Sequence, residues 1–282
     1  MFKRSLGYNF KVILLSLMVF NCEDDTGVLD NILDPGSGEY TEVETLITEG
    51  PSEGSVITSS STTFSYTGGP LVVGYSHRLY FESNISDWSD WATDTAVTYE
   101  NLDEGEYTFQ VKGKYSESDI QSVPTERSFI VDAVSGPSIR VFPQVTYVET
   151  SSSKFQIDII AEDLGENSPP VSGIELEIAY DFQKLDVFNS APIIKGELIN
   201  NYPGMDLLID ELGEGSITIT IGVTEGFNSI GLTGTGILFS IELKALSSGQ
   251  SNFDIISAAY RDANNTAIDI QNIISGTVIV GQ

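Results

Sequence analysis

The feature that most constrains the fold of this chain is an apolar residue at every second position. Residues 217–223 alternate isoleucine or valine with threonine or glycine, and residues 174–180 alternate apolar side chains with glutamate or alanine. A strand with this period has one apolar and one polar face, as in two-sheet sandwiches. No stretch longer than about ten residues keeps an apolar period of 3.6 residues, so we predict an all-β chain with little helix.

A Gly136-Pro137 step interrupts this pattern near the middle of the chain. The 282 residues, 40% of them hydrophobic, are enough for two modest cores. We therefore predict two tandem β-sandwiches, the first at residues 43–133 and the second at residues 137–282. The junction between them is short and polar, which favours two modules that fold independently.

Charge and rare residues exclude several classes of function. The formal charge is −28, from 13 Lys and Arg against 41 Asp and Glu. Nucleic acids and anionic membrane surfaces repel such a chain, so neither is an expected partner. One cysteine and one histidine cannot build a zinc site, and a Cys–His or Ser–His relay would rest on His77 alone. His77 shares its parity with Leu79 and Phe81, which favours a partly buried structural ring. We expect no catalytic residues, no metal and no cofactor.

The N-terminus has the layout of an export signal. Lys3, Arg4 and Lys11 precede or open an apolar run at residues 12–20, which is too short to span a bilayer, and Cys22 follows. This layout resembles a bacterial lipoprotein signal. The resemblance implies a signal peptide at residues 1–21, lipidation of Cys22, and attachment to the bacterial outer membrane or cell surface through that lipid. The alternative is an ordinary cleaved signal peptide that leaves a free thiol.

The residues after Cys22 are acidic and rich in turn formers. The run Glu23-Asp24-Asp25 is similar to the surface-export signals of Bacteroidetes lipoproteins. Residues 22–42 contain few apolar side chains, and this composition predicts a flexible acidic tether.

Residues 102–113 carry the clearest motif of the first module. The order Leu-x-x-Gly-x-Tyr-x-Phe-x-Val resembles fibronectin type III and related immunoglobulin-like domains. The resemblance implies that Tyr107 bonds its hydroxyl back to the preceding loop, while Phe109 and Val111 point into the core. Trp88 and Trp91 also resemble the tryptophans that pack near the centre of such sandwiches. The other interpretation of these two rings is a platform on which a sugar stacks.

Three stretches of the second module resemble the cohesin domain, a nine-stranded jelly roll that acts as a receptor in cellulosome scaffolds. They are residues 173–187, which contain Tyr180-Asp181 and Leu185, residues 236–245, and residues 276–280. In cohesins a dockerin binds one flat sheet face. The resemblance puts residues 173–180, 215–223 and 252–260 on that face, with a less clear strand near residues 202–209. Outward side chains that would bind the partner are those of Glu175, Glu177, Ser216, Thr218 and Thr220. Gly173 and Glu175 stand where typical cellulosomal cohesins carry Asn and Asp.

One loop has oxygen ligands at alternate positions, from Asp262 to Asp269. It resembles the start of a calcium loop but lacks the sharp glycine and the bidentate glutamate. A polar hairpin turn is the other interpretation, and the one that we favour.

We expect a surface-anchored, non-catalytic lipoprotein. Its cohesin-like module would bind a protein partner, dockerin-like or other, for scaffolding or adhesion linked to polysaccharide degradation. The alternative is a direct carbohydrate-binding module, which needs a planar row of exposed aromatic rings. Tyr180, Tyr202, Phe227 and Tyr260 do not form such a row by their spacing. A glycoside hydrolase would need two placed carboxylates and a catalytic fold, and the chain contains no such fold pattern.

Overall fold

The computed structural model describes residues 33, 36–82, 84–188, 192–224 and 231–281. The chain divides into two compact units, residues 1–42 and residues 43–282. The described residues before Val43 form turns, in which the Tyr40 N–H donates to the Ser37 carbonyl at 3.2 Å. The predicted signal peptide, Cys22 and most of the predicted tether lie outside the described residues. Within the described ranges, no helix is long and apolar enough to cross a membrane.

The described residues before the Gly136-Pro137 step form nine strands. They are β1 (Thr45–Glu49), β2 (Ser55–Ile57), β3 (Thr62–Gly68), β4 (Gly74–Phe81), β5 (Asn84–Ile85), β6 (Ala96–Tyr99), β7 (Gly105–Ser116), β8 (Asp119–Ile120) and β9 (Thr125–Val131). One sheet has the order β1-β3-β6, and the other has the order β2-β9-β7-β4-β5 with β8 paired to β7. Their inner faces share one apolar core, so this half of the chain is a β-sandwich.

The core of the first sandwich is built around the motif at residues 102–113. Tyr107, Phe109 and Val111 are all buried, and the Tyr107 hydroxyl hydrogen bonds with the backbone of Asp103. The Phe109 ring stacks on Phe64 with centroids 4.1 Å apart. The predicted corner is therefore confirmed, because alternate residues of β7 point inward and the tyrosine ties the strand to the loop before it.

After the step, the part of the chain that the structure describes forms thirteen strands and one short helix. They are β10 (Ser138–Phe142), β11 (Val145–Val148), β12 (Lys154–Leu164), β13 (Gly173–Tyr180), β14 (Leu185–Val187), β15 (Ile193–Lys195), α1 (Glu197–Asn200), β16 (Met205–Gly213), β17 (Ser216–Val223), β18 (Gly234–Ala245), β19 (Gly249–Arg261), β20 (Ala267–Ile268), β21 (Asn272–Ile274) and β22 (Gly276–Val280). The chain breaks at Ser275 between β21 and β22, which belong to different sheets.

The second sandwich also consists of two sheets around one core. One sheet has the order β14-β18-β12-β10-β21 with β15 paired to β18, and the other has the order β11-β22-β19-β13-β17-β16 with β20 paired to β19. Buried residues of both sheets form a single cluster, which includes Ile159, Phe239, Ile219 and Phe253. The prediction of an all-β chain with two tandem β-sandwiches is confirmed.

A buried charge cluster lies where the two sandwiches meet. The Arg140 guanidinium donates to Glu162 Oε1 at 2.6 Å and to Asp103 Oδ1 at 3.4 Å. Asp103 also accepts the Gln144 N–H at 3.1 Å, and Glu104 accepts the N–H groups of the linker residues that follow β9. The Arg140 guanidinium therefore pairs with one carboxylate from each sandwich. All three groups are largely buried, so water screens their charges little.

Candidate acidic docking face

Four neighbouring strands lie at one side of the seven-stranded sheet, in the order β19-β13-β17-β16, and share one outer face. These are the strands that the sequence resemblance placed together. The less clear strand predicted near residues 202–209 begins only at Met205, because Tyr202 lies in the turn after α1. The structure therefore brings all five predicted face residues onto one surface.

Side chains on this face follow from the period of two. Ile174, Leu176 and Ile178 are buried, while Glu175 and Glu177 between them are exposed. Glu175 lies opposite Thr220 on β17 and Ala259 on β19, and Glu177 lies opposite Thr218 and Ser257. Ser216 lies opposite Ala179 in the same register. Directly opposed residues project to the same side of a sheet, so the five predicted side chains share the outer face.

Four more carboxylates join the face, and the sequence analysis missed them. Asp206 and Glu211 lie on β16 opposite Gly222 and Thr218, and Asp254 lies on β19 opposite Ala179. Asp210 accepts a hydrogen bond from the Thr220 hydroxyl at 2.6 Å. A bulge between Ile209 and Glu211 shifts the register of β16, so simple alternation could not have assigned these residues to a face. We call the outward surface of the four strands, with these six carboxylates, the acidic face.

The acidic face has little positive charge of its own. Arg261 is the only cationic residue of the four strands. Lys195 reaches the edge from β15, where its ammonium lies 3.4 Å from Asp206. The Leu207 N–H donates to the Asp206 carboxylate, and the Lys195 ammonium lies beside it. The hydrogen bond first, and then Lys195, holds the pKa of Asp206 below its usual range. Like charges gathered on one surface create a negative potential that attracts a basic partner.

A cavity opens at one end of the acidic face. Gly173 and Gly222 are directly opposed on β13 and β17, so no side chain covers the backbone there. The cavity has a volume of about 320 Å³ and is lined by Glu175, Thr220 and Arg261 among others. A Cβ atom added at Gly222 would meet nothing within 4 Å. The face is therefore flat over its centre and recessed at this end.

Comparison with solved structures returns cohesin modules. The chain is similar to the sixth cohesin of Acetivibrio cellulolyticus scaffoldin B, solved in complex with the Cel5 dockerin, with 16% identity over 52% of this chain and 99% of that chain and a TM-score of 0.42. A cohesin from Clostridium thermocellum solved with Doc918 has 15% identity over 51% of this chain and 99% of that one, with a TM-score of 0.40. The cohesin module of a Clostridium perfringens family 33 glycoside hydrolase has 14% identity over 51% and 95%, with a TM-score of 0.38.

No family model matches the chain, and no curated protein matches it.

The two tryptophans do not pack near the centre of the first sandwich. Both are partly exposed and rest on the outer face of the β2-β9-β7-β4-β5 sheet among cations. Arg78 lies 4.3 Å and Lys112 lies 4.1 Å from the centroid of Trp88. Both cations therefore lie over the Trp88 ring within cation–π distance. Lys112 and Lys114 lie 5.5 and 4.7 Å from the centroid of Trp91.

This ladder of cations and rings bears on the glycan alternative. A sugar stacks on the flat face of an aromatic ring, and cations already lie over the ring of Trp88. In the four strands of the acidic face, the aromatic rings are those of Tyr180, Phe253 and Tyr260, and all three are buried. Tyr202 packs against the core with its hydroxyl 2.6 Å from Thr233 Oγ1, and Phe227 lies outside the described residues. The described aromatic rings therefore form no planar row on this face.

The remaining candidate residues have structural roles. The His77 ring is 2.8 Å from the Tyr99 hydroxyl through Nδ1 and lies among Tyr66 and Phe109. Burial lowers the pKa of His77, so the ring is neutral at neutral pH, as expected for a structural histidine.

The Asp262 loop is the turn between β19 and β20. Asp262 Oδ1 accepts the N–H groups of Asn264 and Thr266, each at 2.8 Å, and these bonds lower the pKa of Asp262. The carboxylate is thus engaged in shaping a polar hairpin turn, which was the favoured interpretation. Within the described ranges, no group of three or more His, Cys, Asp or Glu side chains is arranged to hold a metal ion.

Proposed function

We propose that the second sandwich docks a protein partner through the acidic face, and that the chain is a surface-anchored lipoprotein without catalytic activity. The observation that supports this is the gathering of six carboxylates on one sheet surface, four strands wide, whose strands contain Arg261 as their only cationic residue. A flat face of this kind suits contact with another protein rather than enclosure of a small molecule.

The partner that fits this face carries lysine or arginine. Complementary charge speeds association and excludes acidic competitors, and its effect weakens as the salt concentration rises. The solved cohesins to which the chain is similar include complexes with dockerins. A dockerin-like module with a basic contact surface is accordingly our first candidate for the partner, in scaffolding or adhesion linked to polysaccharide degradation.

The other parts of the chain would present this face away from the membrane. In this proposal the lipid on Cys22 anchors the protein at the outer membrane or cell surface. The acidic residues 22–42 form the tether, and the first sandwich, fibronectin type III-like in its corner motif, is a spacer. Fold alone does not assign function to such a spacer.

The test compares two variants with the same change in charge. Glu175→Lys/Glu177→Lys reverses the centre of the acidic face, and Glu149→Lys/Glu166→Lys reverses two exposed glutamates outside its four strands. Dockerin modules are first screened for binding to the immobilised full chain, with a glycan array run in parallel. For any dockerin that binds, we expect the face variant to lose at least about tenfold in affinity and the control variant to lose far less.

Two results would contradict the proposal. One is a bound dockerin whose affinity and salt dependence are the same for the face variant and the unmodified chain. The other is saturable binding to a glycan with no binding to any dockerin module.

A further inference from the structure

Strand β16 departs from the way in which the other sheet edges of this protein are built. Each of the four sheets has two terminal strands, and seven of these eight are short. They are β1 with 5 residues, β2 with 3, β5 with 2, β6 with 4, β11 with 4, β14 with 3 and β21 with 3. The eighth, β16, has 9 residues. Short edge strands protect a sheet from pairing with other chains, and β16 lacks this protection.

The side chains of β16 also favour contact with another chain. Leu208, Ile209 and Leu212 are 61%, 42% and 40% exposed. The strand contains neither lysine nor proline, which often block an exposed edge, and its protection is limited to the bulge between Ile209 and Glu211. Among the described residues, β16 pairs with β17 on one side and with no strand on the other. Asp206 already accepts the Leu207 N–H and Lys195 already donates to the Met205 carbonyl, so the edge offers its backbone donors and acceptors after Leu207, next to apolar side chains.

Charge decides which chain can use this edge. Asp206, Asp210 and Glu211 give β16 three carboxylates and no cation. Two copies of β16 side by side would place like charges opposite one another, which destabilises a strand pair. A strand carrying lysine or arginine at alternate positions would instead meet opposite charges on the outer side.

We propose that β16 accepts an extended basic segment of a partner protein, which adds a strand to the seven-stranded sheet. Backbone hydrogen bonds supply affinity in this mode, and the side chains at alternate positions supply specificity. Ile209, opposite the buried Ile219, packs against an apolar residue of the added strand on the inner side. The three carboxylates select its basic residues on the outer side. These carboxylates also belong to the acidic face, whereas the backbone hydrogen bonds and the contact with Ile209 are made by the edge of the sheet alone.

A short peptide of alternating lysine and valine is the probe for this edge. Binding to the full chain is measured by fluorescence anisotropy, and amide hydrogen exchange is measured with and without the peptide. A control peptide of the same sequence carries N-methyl groups on two consecutive central residues. Successive N–H groups of an extended peptide point to opposite edges, so the control lacks one backbone donor whichever edge it presents to β16. We expect slowed exchange at residues 207–211 with the probe and none with the control, still detectable in about 0.5 M salt because backbone pairing is screened little.

Two variants separate the edge from the face. Ile209→Ser/Leu212→Ser alters two exposed apolar side chains of β16 that lie opposite the buried Ile219 and Ile217, off the acidic face, and should weaken probe binding at least about tenfold, or 1.4 kcal/mol. Glu175→Lys/Glu177→Lys alters the acidic face and should change it far less in high salt. Loss of binding in the face variant alone would overturn the edge site, as would equal binding of the methylated control. Exchange at residues 207–211 that is already slow in the free protein would show that the edge is covered, and would also overturn it.

Discussion

The charge cluster between the two sandwiches makes a prediction about pH that runs against ordinary acid denaturation. Burial raises the pKa of Asp103 to about 6, and the nearby Glu162 adds to the rise. The Arg140 guanidinium and the Gln144 N–H lower the pKa of Asp103, but by less than burial raises it. Arg140 lowers it only in part because its guanidinium also pairs with Glu162, which lies closer to it than Asp103 does.

The size of the effect follows from the change in proton affinity. The pKa of Asp103 rises from 3.8 to about 6, and each tenfold gain in proton affinity corresponds to about 1.4 kcal/mol, so the contribution is about 3 kcal/mol. The folded state binds this proton more tightly than the unfolded state. The stabilisation is therefore complete below pH 3.8 and is lost as the pH rises through about 6. Burial raises the pKa of Glu162 and of Glu104 as well, so their contributions have the same sign.

The perturbation is Asp103→Asn, which keeps an oxygen to accept the Gln144 N–H but removes the titrating group. The free energy of unfolding is measured by urea titration at several pH values between 4 and 7, for the unmodified chain and the variant. We expect the variant to gain about 3 kcal/mol relative to the unmodified chain across this range. Asp87→Asn, at an exposed aspartate, is the matched control and should gain nothing. Parallel pH profiles for the Asp103 variant and the unmodified chain would refute the reasoning.

Three further predictions concern the anchor, the modules and the tryptophan ladder. Cys22→Ala should release the protein from the membrane fraction of cells, and unchanged fractionation would contradict the lipid anchor. Residues 137–282 alone should unfold in a single cooperative urea transition, and an insoluble or molten product would show that this core requires the first sandwich. Trp88→Ala should lower the free energy of unfolding by about 1–2 kcal/mol, because two cation–π contacts are lost. Partner binding by the acidic face should be unchanged in that variant, and an unaltered urea midpoint would show that the ladder adds no stability.

Local pattern determined the fold class and the inward and outward faces of most strands. The positions of β13 and β17 could be read from the sequence to within a residue, because burial of one sheet face imposes a period of two. The same rule assigned Glu175, Glu177 and Thr218 to the outside. The resemblance of residues 102–113 to fibronectin type III domains implied the corner role of Tyr107, and its partner Asp103 lies only four residues away in the chain.

Tertiary structure decided everything that depends on which strands are neighbours. Asp206 and Asp254 reach the acidic face only because β16 and β19 flank β17 and β13, and the bulge in β16 hides its register from any reading of alternation. Trp88 resembles a tryptophan of the sandwich centre but packs against Arg78 and Lys112, which come from two paired strands. Arg140 joins carboxylates that are 37 residues before it and 22 residues after it. The cost of closing such loops grows only slowly with their length, so the sequence separation of two residues says little about whether they meet.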